Sequence, residues 1–294
     1  MKKIAIVTDT SNMTLEEGKK AGVFVIPMPF IIDGVEYFDG IDLDGDKFYE
    51  KLLGDADIKT SQPSAGAVMD MWDKVLQDYD EIVHVPLSSG LSGSYANAVT
   101  YATAYDGKVE VVDTQRVSVP ARVTIEDMLG LIKLGYSAKQ IKERIEKEQD
   151  NSSVYIFMDT LKYLKKGGRI TPTAAALGQI LKIRPILQIH GHVLDAYAKV
   201  RSLSKAKDTI FKALEDEMDR MNVHSPSEVR LQAACSYQFA EREQWCHELE
   251  EHFPGFKVEY GDLPLNLTTH IGPGGRGAAV TKCLPELAEF DKVK

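Results

Sequence analysis

In the first half of the chain, short apolar runs alternate with segments whose apolar residues recur at helical spacing. The runs at 3–7, 23–26, 82–86 and 109–113 have the length and β-branched content of buried strands. Between them, Ala65, Val68, Trp72, Val75, Leu76 and Tyr79 fall on one face of a helix, and the Ala-rich segment 96–105 reads as another. Thr14 with Glu17, and Ser137 with Gln140, have capping-box spacing and mark helix starts. Asp44 or Asp46 caps a helix running to Leu53, and a further helix is predicted over 128–134. Asp33-Gly34 between Ile32 and Val35 predicts a type I′ hairpin, while Pro27 and Pro29 stop the second strand. Strands alternating with helices predict βαβ units and a parallel, doubly wound sheet.

The second half has a different pattern. Strands are predicted at 154–158, 229–234 and 256–260, and a hairpin at 186–189 and 193–200 around His190-Gly191-His192. Residues 161–166 lead into the turn Gly167-Gly168. Helices are predicted at 205–221, with Ala206, Ile210, Leu214 and Met218 on one face, and at 240–252. Hairpins mixed with helices suggest an α+β domain. The expected division is an N-terminal α/β domain, 1–150, and a C-terminal α+β domain, 151–294, meeting where polarity peaks at Asp150-Asn151.

Three polar loops stand just before helices of the first half. Ser88-Ser89-Gly90-Leu91-Ser92-Gly93-Ser94-Tyr95 lies between a strand and a helix, where N–H groups and the helix dipole converge on an anion. It holds four serine hydroxyls and no Lys or Arg, so it suits one carboxylate better than a polyphosphate. It has neither the Gly-Lys-Ser/Thr ending of a Walker A loop nor a Gly-x-Gly-x-x-Gly fingerprint. Thr60-Ser61-Gln62-Pro63-Ser64 is the second loop, and helix capping by Ser61 or Ser64, with Pro63 in the first turn, accounts for it equally well. Thr8-Asp9-Thr10-Ser11 is the third. In the second half, His270 adjoins a Gly272-Pro273-Gly274-Gly275 turn that exposes its neighbours. Ser92, His270 and Asp9 or Asp113 also raise a serine hydrolase, but Gly90-Leu91-Ser92-Gly93 is one residue short of a nucleophile elbow. No cluster has zinc-site spacing.

Composition narrows the field further. The 294 residues are 44% apolar and 27% charged, as in an ordinary globular protein. A net charge of −9 and a pI near 5.4 argue against a general nucleic-acid binder. No run approaches the length of a spanning helix, and the first apolar run is too short for a signal peptide. Cys235, Cys246 and Cys283 are odd in number and widely spaced, so free thiols in a reducing cytoplasm are expected.

Asp9-Thr10-Ser11, residues 60–64, residues 88–95, residues 164–170 and His270-Ile271-Gly272-Pro273-Gly274 together resemble the DegV family, in order and spacing, over nearly the whole chain. The resemblance implies a bacterial two-domain fatty-acid-binding protein with its ligand site between the domains. Such proteins present the fatty acid's carboxyl group to a separate ATP-dependent fatty acid kinase, which makes acyl phosphate for phospholipid synthesis. Carried over by position, Ser61, Ser92 and His270 would contact the carboxylate, and Arg169 and Arg201 would belong to the kinase-docking surface. No cofactor, metal or catalytic residue of its own is implied, and a monomer suffices. Two departures from the family pattern bear on the pocket: Val119-Pro120-Ala121-Arg122 after Ser118, and Gly275-Arg276 after Gly274. A phosphometabolite-binding sensor is a third reading.

Overall fold

The apolar run after Lys3 forms β1 (Ile4–Asp9), which pairs in parallel with β2 (Phe24–Ile26) on one side and β6 (Glu81–Val85) on the other. With β7 (Val109–Val111) beyond β6, the sheet order is β2-β1-β6-β7, all parallel. In the computed structural model the described residues are 2–54, 56–168, 184–190, 193–236 and 240–291. They divide into two compact units, Met1–Gln149 with Pro264–Thr269, and Asp150–Leu263 with His270–Lys294.

The first unit is the parallel doubly wound layer that strand–helix alternation predicts. Thr14 caps helix Leu15–Ala21 in a full capping box, and Asp44 rather than Asp46 caps Gly45–Leu53. Val68, Trp72 and Val75 of helix Ala65–Val75 pack with Ala5, Val7 and Ile82 of the sheet and Ala98 of helix Ser94–Ala102. Helix Val119–Lys133 starts well before the predicted 128. Its buried positions include Val119, Ala121, Val123, Ile125 and Met128, so its first turns show no one-sided stripe to read. A small antiparallel sheet, β4-β3-β5, stands apart, built from β3 (Pro29–Ile32), β4 (Val35–Phe38) and β5 (Ile58–Thr60). Its hairpin is type I′, with Asp33 at φ 50° and Gly34 at φ 83°. Pro29 opens β3, where a missing N–H is tolerated.

The second unit holds a six-stranded sheet, order β10-β9-β8-β13-β11-β12. Its strands are β8 (Ser152–Phe157), β9 (Arg184–His190), β10 (Val193–Val200), β11 (Val229–Cys235), β12 (Val258–Asp262) and β13 (Arg276–Lys282). β13 is the inner strand that joins β8 to β11, antiparallel to both. Its Gly277-Ala278-Ala279 core carries almost no β-propensity, which hides it from pattern reading. Helix Leu203–Arg220, capped by Ser202, buries Ala206, Ile210 and Leu214, and Trp245 and Leu249 of helix Arg242–His252 complete the core. Gly191 and His192 of the expected hairpin tip lie outside the described residues. The three cysteines are free, Cys235 buried and the others half-buried. Among the described residues no helix is long and apolar enough to cross a membrane.

Candidate functional site

In the first unit, the carboxyl ends of the parallel strands gather the polar loops. Asp9, at the end of β1, accepts hydrogen bonds from Ser11 N (2.9 Å), from the Ser11 hydroxyl, and from Leu87 N (2.9 Å) beyond β6. Burial pushes the Asp9 carboxyl up, while these three donors pull it back. Asp39 is pushed up to about 6, first by burial, with a hydrogen bond from Thr10 opposing it.

The loop at 88–95 is folded on itself. Leu91 N and Ser92 N donate to Ser88 O (3.0 and 3.2 Å), and Ser89 N donates to Asp113 Oδ1 (3.3 Å). Ser92 Oγ accepts from Ser94 N (3.2 Å) and shares a hydrogen bond with Ser94 Oγ (2.8 Å). The hydroxyl of Ser92 therefore already occupies one N–H at the start of the helix. In the neighbouring loop, Ser64 is the N-cap, accepting from Ala67 N (3.1 Å), so Pro63 precedes the helix. Ser61 is thereby released from capping: its N–H donates to Pro29 O (3.1 Å) and its side chain is exposed. The two loops meet, since a methyl group on Gly93 would stand 3.3 Å from Gln62 Oε1.

Gln62 and Ser94 also line a cleft over the sheet end, with Asp9, Asn97 and Tyr101 and an apolar floor of Ile26, Val68 and Ala98. His84 faces the same cleft and was not singled out by its sequence, since it sits inside an apolar strand. Burial pushes it down to about 3, so the ring is neutral. Trp72 Nε1 donates to its Nδ1 (3.4 Å), which leaves the proton on Nε2.

In the second unit, His270 lies in the last turn of helix Leu265–Ile271 and packs on helix Lys162–Gly167. A methyl group on Gly167 would overlap the imidazole, which explains a glycine at the end of that helix. The turn that follows needs glycine twice, with Gly272 at φ 81° against the Tyr163 ring and Gly274 at φ 79°. Ser236 Oγ holds it shut, donating to Gly272 O (2.7 Å) and accepting from Gly275 N (3.0 Å). The structure thus joins the motif around Gly167 to the motif around His270. Arg201 is exposed just before the Ser202 cap, and Arg169 lies outside the described residues.

Both departures from the family pattern have local partners. Arg122 Nη1 pairs with Glu17 Oε1 (2.8 Å), the same carboxylate that closes the first capping box. Arg276 opens β13 and lies 5.3 Å over the Phe157 ring.

A family model described as an uncharacterised protein of the DegV family matches residues 3–282. A DegV domain-containing protein of Deinococcus radiodurans is 30% identical over 281 residues, covering 94% of this chain and 98% of that one. Among solved structures, a fatty-acid-binding DegV family protein from Thermus thermophilus is 26% identical with a TM-score of 0.84, covering 96% of this chain and all of that one (100%). A Thermotoga maritima protein whose structure reveals a fatty-acid-binding function is 25% identical with a TM-score of 0.80, covering 96% and 100%. The match runs through both units and the loops between their strands, and the chain belongs to the DegV family.

Proposed function

We propose that the protein binds one long-chain fatty acid and presents its carboxyl group to a separate ATP-dependent fatty acid kinase, without catalytic chemistry or a cofactor of its own. The observation that carries this reading is the likeness, along the whole chain, to fatty-acid-binding structures. The chemistry of the loops supports it. Ser61 and Ser92 stand on adjoining loops of the first unit, in stretches rich in hydroxyls and free of Lys and Arg. In this reading Ser61, Ser92 and His270 hydrogen-bond the carboxylate, and Arg169 and Arg201 face the kinase. The protein acts in the cytoplasm as a monomer.

The energetics assign different roles to chain and head group. At ~0.8 kcal/mol per buried CH₂, about 15 methylenes contribute on the order of 10 kcal/mol. Each head-group hydrogen bond adds roughly 1 kcal/mol and chiefly fixes orientation. A carboxylate held by hydroxyls rather than clamped by a guanidinium stays available to a second protein.

Native mass spectrometry of the purified protein tests this directly. The expected result is the added mass of one acyl chain, recovered as free fatty acid on organic extraction. A clean ligand-free spectrum and an empty extract would sink the reading. Ser61→Ala and Ser92→Ala should keep most of the lipid affinity and lower acyl-phosphate formation by the kinase. Labelling of Ser92 by a fluorophosphonate would replace the carrier with a hydrolase.

A further inference from the structure

The sheet order β2-β1-β6-β7 makes the chain leave β1 toward one side and return, through β6, on the other. The loops after β1 and β6 therefore flank a topological switch point, where open α/β sheets take their ligands. Three buried side-chain atoms in this region have no hydrogen-bond partner among the described residues: Asn12 Oδ1, Ser88 Oγ and Ser118 Oγ. Their residues are 3%, 1% and 7% exposed. Hydrogen bonds from backbone N–H groups to a carbonyl and two carboxylates draw the loops together. Ser118 N donates to Ser11 O (3.3 Å), Leu87 N to Asp9 Oδ2 (2.9 Å) and Ser89 N to Asp113 Oδ1 (3.3 Å). Buried polar atoms are nearly always paired, because leaving one unpaired forfeits its hydration for nothing. Ser118 is also held at φ 58°, ψ −135°, a conformation suited to glycine, yet it carries a hydroxyl.

We propose that Asn12, Ser88 and Ser118 form a polar subsite for an uncharged hydroxyl group carried by the ligand. An amide oxygen requires a donor, and a serine hydroxyl can donate or accept, so one alcohol satisfies the set. A second anion is unsuited to this place. Asp9 and Asp113 stand in the same loops, and their oxygens accept from Ser11, Leu87, Ser89 and Gln115 backbone N–H groups. Ser92 N donates to Ser88 O, which puts the subsite within one turn of the proposed carboxylate contact. The hydroxyl therefore belongs near the head of the chain, as in a 2- or 3-hydroxy fatty acid. This inference rests on the fatty-acid reading of the same region.

The test is a competition, read by native mass spectrometry, between stearic acid and 2- or 3-hydroxystearic acid for the delipidated full chain. The wild type should favour one hydroxy acid by about fivefold or more, the worth of one well-made hydrogen bond. Ser88→Ala and Ser118→Ala should bring the ratio to one. Ser118→Gly guards against misfolding: relief of strain should raise the melting temperature of the lipid-free protein by about 2–4 °C while the preference is lost. Equal binding by the wild type would mean that water fills the place, and would overturn the subsite. So would a preference unchanged in the serine variants. Binding of neither class of acid would overturn the fatty-acid reading itself, and this inference with it.

Discussion

In the second sheet, Ser152 of β8 and Thr281 of β13 share a hydrogen bond of 2.9 Å, and Thr281 Oγ1 donates to Gln232 Oε1 of β11 (2.9 Å). On β8, Ser153 Oγ donates to Glu217 Oε2 (2.8 Å), which also accepts from Arg220 Nε (3.0 Å). In the first sheet, Thr8 and His84 lie within strands, but a cluster of buried polar side chains stands at one end, on loops, and Asn12, Ser88 and Ser118 each leave a buried oxygen without a partner among the described residues. The contrast follows from strand direction. Antiparallel neighbours place side chains directly opposite, as Ser152 and Thr281 are, so polar residues within a sheet can pair. A parallel sheet collects its polar residues at the carboxyl ends through topology, where nothing obliges them to match. The second sheet ties Ser152, Thr281 and Gln232 Oε1 into its own cohesion, with Gln232 Nε2 left without a partner among the described residues, whereas the first leaves three such oxygens together on its loops.

The largest expected effects probe the cohesive sheet. Trp245 is buried, donates from Nε1 to Gly277 O (3.1 Å) and stacks on Phe211. Trp245→Ala should cost ~3–5 kcal/mol, measured by urea denaturation followed by circular dichroism. A loss below about 1 kcal/mol would mean that the second core does not depend on it.

An acid-sensitive feature sits under the first sheet's loops. The pKa of His84 falls from its ordinary 6.5 to about 3 in the fold, so the fold favours the neutral ring. Its contribution is complete above pH 6.5 and is lost as pH falls toward 3, by on the order of 1 kcal/mol per pH unit. Asp39, raised to about 6 by burial, works in the opposite sense, and its penalty is relieved as pH falls from 6 toward its ordinary 3.8. Comparing the stability of wild type and His84→Leu between pH 7 and pH 4 isolates the histidine. The gap should shift in favour of the variant as pH falls, and a constant gap would contradict a neutral buried ring.

A smaller effect concerns the His270 turn. Gly167→Ala places a methyl group where the imidazole lies and should cost about 1–3 kcal/mol as His270 is displaced. The His270 imidazole resonances should move in NMR spectra, and unmoved resonances would show that the helix yields instead. The smallest effect separates two serines of one loop. Ser64→Ala removes an N-cap and should cost about 1 kcal/mol, whereas Ser61→Ala should leave thermal stability nearly unchanged. Equal losses would return Ser61 to a structural role.

The parallel layer, the capping boxes at Thr14 and Ser137, the Asp33-Gly34 hairpin and the helix at Leu203–Arg220 were all legible in the sequence. Each rests on local chemistry: spacing of apolar residues, a cap, or a turn that needs positive φ. The family, too, was legible, because its motifs keep their order. Other features belong to tertiary structure alone. β13 is an inner strand despite its Gly-Ala-Ala core, because small residues become a strand only where neighbours on both sides supply the hydrogen bonds. That Ser64 and not Ser61 caps its helix was decided by where the chain enters the turn after pairing with β3. The contact of Gly167 with His270 joins residues about 100 positions apart, and the oxygens of Asn12, Ser88 and Ser118 that have no partner among the described residues come from three separate loops. Local sequence determines elements and their ends, but which side chains share a space depends on strand order and packing, which no short stretch encodes.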